Sequence, residues 1–217
     1  MKNKSLLITN IVLTLLVIIF FSEIESTFLH ITHQWTISKA FPYFLLIISG
    51  TYFALFSLKT LSKNKLITYF VSFLSFSSPF ILGFALNPIY QGDFSKDGKK
   101  LTSNIYSEHN IKNGLYVVTI PNCPYCYEAI GKLKEIKKLH PELNIEMVVC
   151  TSDSSLLETY KIESNNTFKI TNAIEPKKLA KLADLKFPAF IYIKNNIATY
   201  KWDNSQFGVR AIDLITD

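Results

Sequence analysis

The sequence predicts an α/β domain preceded by three transmembrane α-helices, and three observations carry that expectation. The first 90 residues hold three long uncharged runs. The remainder alternates short strand-like runs with helical patterns. A Cys-Pro-Tyr-Cys motif, Cys123 to Cys126, sits where the strand-like run Gly114-Leu115-Tyr116-Val117-Val118-Thr119-Ile120 gives way to a helix.

Between Lys4 and Glu23 lie 18 uncharged residues, between Lys39 and Lys59 19, and between Lys65 and Asp93 27. A helix needs about 20 apolar residues to cross a hydrocarbon core, so each run is long enough. The expected spans are about 5–22, 40–58 and 66–87, within a membrane domain of residues 1–90. The first run lacks a small-x-small cleavage site behind it, which favours a span over a removed signal peptide. Lys2 and Lys4 precede the first run, and Lys59, Lys63 and Lys65 crowd the second connection, whereas the first connection carries Glu23, Glu25 and Lys39. The positive-inside bias then places the N-terminus and second connection in the cytoplasm. Everything after residue 90 falls on the far side. In a bacterial inner membrane that is the periplasmic or extracellular face, where disulfides form and persist. Trp35 reads as an interfacial belt residue, with Phe41, Tyr43 and Phe44 alongside, and His30 and His33 read as neighbouring loop residues. The membrane half has no cysteine, so it is expected to be an anchor, scaffold or docking surface in the lipid bilayer, not a thiol relay.

The net charge of +6 is mostly a topology signal. Residues 1–92 hold six Lys against two Glu, and residues 93–217 hold 17 basic against 15 acidic side chains, so the second half is nearly balanced. No nucleic-acid partner is expected. Lys132, Lys134, Lys137 and Lys138 cluster after the Cys motif, but Ile130, Leu133, Ile136 and Leu139 alternate with them at helical spacing, which reads as a solvated face opposite an apolar stripe.

Residues 91–104 are rich in turn formers, Asp97-Gly98 above all, and read as a linker or a hairpin leaving the membrane. A linker that short would keep the following domain near the bilayer. The α/β domain is expected over 105–217. Pro141 ends the Cys helix, because proline cannot continue the backbone ladder. Leu143 to Cys150 reads as a second strand, and Cys150 at its end as a small buried hydrophobe. Ser152 or Asp153 can cap a helix running to about Glu163. Ser164 to Glu175 has no clear pattern; Pro176 looks like the first-turn proline of a helix ending near Asp184. Phe207, Val209, Ile212 and Ile215 mark a closing helix within 206–216.

Two thiols three residues apart at a helix start can form and break a disulfide. Cys123 lies at the helix N-terminus, where unpaired N–H groups and the macrodipole favour a thiolate, so it is the expected nucleophile. Cys126, one turn further in, is placed to resolve a mixed disulfide on Cys123. A structural zinc would need four ligands, and neither Cys150 nor the four histidines supply a second pair at the right spacing. A c-type haem would need His after the second cysteine, where Tyr127 stands. No metal and no cofactor are expected.

From about Ile105 to Asp217 these residues resemble the thioredoxin-like thiol-disulfide oxidoreductases. The resemblance implies a central mixed sheet flanked by helices, the Cys-x-x-Cys helix after one strand, and a cis-proline opening a β-hairpin. Leu185-Lys186-Phe187-Pro188-Ala189-Phe190-Ile191-Tyr192-Ile193, then Lys194-Asn195-Asn196 and Ile197-Ala198-Thr199-Tyr200, looks like that hairpin, which makes Pro188 the implied cis-proline. It also implies that Pro124, Tyr125 and Phe187 contact substrate, Phe187 through its free backbone groups and ring. Pro124-Tyr125 is the dipeptide of glutaredoxins, but no Gly-Gly and no Thr-Val-Pro occurs here, which argues against glutathione. Thioredoxins carry a buried Asp at the position of Val117, so the proton acceptor differs; Glu128 is a candidate, although an exposed first-turn acid explains it as well.

The resulting expectation is a membrane-tethered thiol-disulfide oxidoreductase whose partners are protein dithiols or disulfides and a redox protein donating or accepting electrons. The alternative is a subunit of a membrane transport or maturation complex, with the thioredoxin-like domain as thiol sensor or binding module. A structural disulfide in a binding module is a further alternative.

Overall fold

The computed structural model describes residues 2–60, 65–94, 98–101 and 113–216. Lys63, positions 95–97 and 102–104 of the expected linker, and positions 105–112 of the expected α/β domain lie outside the described residues. The chain divides into two compact units, Met1–Ile89 and Tyr90–Asp217.

The first unit is helical: α1 (Lys2–Ile19), α2 (Phe21–Thr32), α3 (Trp35–Thr60) and α4 (Lys65–Leu86). Both α3 and α4 are long and apolar enough to cross a membrane. The expected span at 5–22 is interrupted, because the chain bends by 74° between α1 and α2. Phe20 leaves helical geometry there, with φ −98° and ψ 27°. The bend lets α2 bury Phe21 and Leu29 while Glu25 reaches Lys39 at 3.6 Å. Among the described residues the unit thus has two helices long and apolar enough to cross a membrane, or up to three if the bent pair counts as one span. Trp35, expected at the membrane boundary, opens α3 and is buried within the unit.

Helices α3 and α4 approach closely at Gly50, where a Cβ would collide with the Phe76 carbonyl. Each contains an internal proline, Pro42 and Pro79. A helical proline leaves the carbonyl four residues earlier without its donor; for Pro79 this is Ser75, whose carbonyl accepts from Ser78 Oγ at 3.2 Å. Asn10 and Thr14 hydrogen-bond to Ser49, linking α1 to α3.

The second unit contains α5 (Gln91–Phe94), β1 (Lys99–Lys100), β2 (Gly114–Thr119), α6 (Pro124–Leu139), β3 (Ile145–Val149), a 3₁₀ turn (Ser154–Leu157), α7 (Glu158–Ser164), β4 (Lys169–Asn172), α8 (Pro176–Leu182), β5 (Ala189–Lys194), β6 (Ile197–Asp203) and α9 (Val209–Thr216). The strand order is β1-β6-β5-β2-β3-β4. Pairing is parallel for β2 with β3 and β3 with β4, and antiparallel for β2 with β5, β5 with β6 and β6 with β1. This is a mixed sheet flanked by helices, the arrangement of a thioredoxin-like fold. All six residues of β2 and all five of β3 are buried, as a strand covered on both faces requires. The β5–β6 hairpin turns through Asn195 and Asn196, both at positive φ, as a two-residue turn matched to strand twist demands.

Four expectations change. Part of the expected linker belongs to the folded unit: α5 packs on α9, and β1 pairs with Lys201 and Tyr200 of β6. At that junction Gly92 and Gly208 approach so closely that a Cβ on either would meet the other's backbone. The stretch without pattern contributes β4, an edge strand whose exposed and half-buried side chains give no periodic apolar signal. The helix capped by Asp153 begins as the 3₁₀ turn before becoming α7. Three lysines of the presumed solvated face are tied to carbonyls, Lys132 to Phe207, Lys134 to Glu163, and Lys137 to Pro141 and Leu143.

Candidate functional site

Strand β2 ends at Thr119, and Ile120, Pro121 and Asn122 carry the chain to Cys123, the N-cap of α6. Asn122 has φ 55°, a left-handed turn that asparagine tolerates. Pro124 occupies the first helical position, where its missing N–H costs nothing. Cys123 and Cys126 form a disulfide with their Cα atoms 5.2 Å apart. Their sulfurs meet because one helical turn brings positions three apart onto one side of α6.

The Cys126 N–H donates to Cys123 Sγ at 3.2 Å and to the Cys123 carbonyl at 3.0 Å, and the Tyr127 N–H reaches that carbonyl at 3.2 Å. The first-turn donors of α6 therefore point at Cys123. Cys123 is 7% exposed and Cys126 fully buried, so an incoming group meets Cys123 first. Pro124 and Tyr125 are exposed, Tyr125 at 60%.

The Phe187–Pro188 peptide bond is cis. The register pairs Val118 with Ala189, so Phe187 and Pro188 lie at the sheet end where β2 runs into Cys123. Pro188 is buried and Phe187 half-buried, packed against the cluster that contains Val118, Val148 and Ala189. Cys150 packs against the same cluster, and its N–H donates to the Thr119 carbonyl at 2.8 Å. Burial pushes the Cys150 thiol up to about 11, the opposite of an activated nucleophile. Val117 is fully buried in β2, and Glu128 is exposed.

Sequence reasoning missed the residues that hold these loops. Fully buried Tyr160, on α7, donates to the Ile120 carbonyl at 2.7 Å, and its ring stacks on Tyr127 at 4.6 Å. Burial pushes its phenol above the ordinary tyrosine range, Tyr127 alongside adds to this, and the Cys123 backbone pulls the other way. The loop before Pro188 is held from β6: Lys201 Nζ donates to the Leu182 carbonyl at 2.8 Å and to Asp184 Oδ2 at 2.6 Å, and Lys186 pairs with Asp203 at 2.9 Å. No local motif signals these contacts, because each joins elements distant in the chain. Among the described residues, no three His, Cys, Asp or Glu side chains form a group that could hold a metal ion.

No known family profile and no curated protein sequence matches the chain. Two solved structures resemble it at low identity. A secreted disulfide oxidoreductase of Mycobacterium tuberculosis, homologous to E. coli DsbE, is 14% identical over 48% of this chain and 80% of its own, with a TM-score of 0.40. A thioredoxin-like protein from Bacteroides caccae is 13% identical over 82% of this chain and 81% of its own, with a TM-score of 0.36.

Proposed function

We propose that the chain is a membrane-tethered thiol-disulfide oxidoreductase that exchanges disulfides with protein substrates on the extracytoplasmic face. The observation that carries this reading is the Cys123–Cys126 disulfide at the N-terminus of α6, with Cys123 7% exposed and Cys126 fully buried. In the reducing direction, the Cys123 thiolate attacks a substrate disulfide, forming a mixed disulfide and releasing one substrate thiolate. Cys126 then attacks Cys123, the internal disulfide forms, and the second substrate thiolate leaves. Two electrons pass to the substrate, and a separate redox protein restores the dithiol. In the oxidising direction each step reverses. Pro188 and Phe187 would line the approach to Cys123, with Pro124 and Tyr125 on its other side. No step uses a cofactor.

The membrane reading counts the bent pair α1 and α2 as one crossing, with α3 and α4 as the others, so that Lys2, Lys4, Lys59, Lys63 and Lys65 face the cytoplasm. Substrates would then be membrane-bound or brought to the membrane. A maleimide that cannot cross bilayers should label reduced Cys123 in intact spheroplasts; labelling only after lysis would reverse the orientation.

Replacing Cys126 by Ala tests the chemistry. An oxidoreductase lacking its resolving thiol accumulates mixed disulfides with its partners, and identifying them names the substrates. A binding module with a structural disulfide would accumulate none.

A further inference from the structure

Lys201 lies on β6, opposite Ile191 of β5 and Lys99 of β1, and is 7% exposed. A lysine that deeply buried requires partners for its ammonium group. It donates to the Leu182 carbonyl at the end of α8 and to the Asp184 carboxylate in the segment that leads from α8 to β5. That segment has an uncommon backbone. Asp184 and Leu185 are both left-handed, φ 53° and 57°, although neither is glycine. Left-handed backbone is unfavourable for residues other than glycine, so the surroundings must hold such a turn in place. Lys201 binds its start, and the Lys186–Asp203 pair binds its end. Asp203 stands opposite Ala189, one residue past Pro188. In that turn Leu185 is 69% exposed, and half-buried Phe187 lies two residues before Ala189, which pairs with Val118 at the end of β2 that runs into Cys123.

We propose that Lys201 is a positioning residue for substrate selection: its buried ammonium holds the Asp184–Leu185 turn so that Leu185 and Phe187 form a fixed apolar wall for an extended protein segment reaching Cys123. This rests on the reading that Cys123 exchanges disulfides with proteins. A small disulfide needs only the sulfur and no wall. Loss of the clamp therefore separates the two substrate classes.

The experiment uses the full chain in detergent micelles, with dithiothreitol as the recycling reductant and its uncatalysed rate subtracted, and with insulin as the protein disulfide and hydroxyethyl disulfide as the small one. Lys201→Met should raise KM for insulin about tenfold, equal to about 1.4 kcal/mol, while kcat and the rate with hydroxyethyl disulfide stay within about twofold. Asp184→Asn, altering a half-exposed carboxylate, should shift insulin KM in the same direction and provides the test should Lys201→Met fail to fold. Unchanged insulin KM in both variants, or equal losses on both substrates, would overturn the positioning role while leaving the exchange reaction standing. Wild-type chain that reduces neither disulfide would overturn the exchange reading and this inference with it.

Discussion

The backbone N–H of Cys126 donates to Cys123 Sγ across 3.2 Å, so the side chain capping α6 turns its sulfur toward the helix start. That donor favours negative charge on Cys123 once the disulfide is reduced. In variants retaining one cysteine each, iodoacetamide should modify Cys123 at least about tenfold faster than Cys126 at neutral pH. Cys150 should be slowest and gain reactivity only as pH approaches its raised value of about 11. Equal rates for Cys123 and Cys126 would remove the distinction between nucleophile and resolving thiol.

Tyr160 gives a second handle on the loop. Tyr160→Phe keeps the ring beside Tyr127 and deletes the hydroxyl that binds the Ile120 carbonyl. Leaving that carbonyl without its donor should cost about 1 kcal/mol and slow disulfide exchange, because the turn into Cys123 loosens. Chemical denaturation and an exchange assay on the same variant measure both effects. An unchanged denaturation midpoint would contradict the assigned contact.

Acid should release the clamp on the turn before Pro188. The Lys201 hydrogen bond holds the Asp184 carboxyl below its ordinary range against partial burial, with the charges of Lys201, Lys99 and Lys186 assisting. Burial opposes ionisation of Asp203, but hydrogen bonds from Ser205 and Lys186, the Lys186 charge and the Gln206 N–H outweigh it. A carboxyl with a lowered folded-state pKa contributes stability that is complete above its unfolded value, about 3.9, and is lost as pH falls through the folded value. The melting-temperature gap between wild type and Asp184→Asn should therefore hold from pH 7 down to about 4 and close below it. A gap of the same size in stronger acid would count against the ion pair.

The Gly92–Gly208 contact predicts a contrast between two glycine substitutions. Gly208→Ala places a methyl group against the Gly92 backbone and should destabilise the second unit by about 1–3 kcal/mol. Gly131→Ala lies inside α6 with open space around it and should be neutral or stabilise by up to about 1 kcal/mol. Thermal unfolding of both variants decides it, and equal melting temperatures would argue against the docking of α5 on α9.

Local patterns in the sequence determine much of this protein. The cysteine pair at a strand-to-helix junction, the Asn195-Asn196 hairpin and Pro176 at the first position of α8 all arise from neighbours in the chain. The apolar runs of α3 and α4 are legible for the same reason, because length and composition are properties of one segment. Other features depend on partners far apart in sequence. The bend at Phe20 answers to how α2 buries Phe21 and Leu29, which the composition of 5–22 does not contain. Strand β1 exists because Lys99 and Lys100 meet β6 about a hundred residues later, and a two-residue strand has no period to read. Tyr160 and Lys201 look like ordinary surface-helix and strand residues until the fold buries them under the loops they hold. Burial assigns a polar side chain its partner, and burial is set only when all the elements have packed.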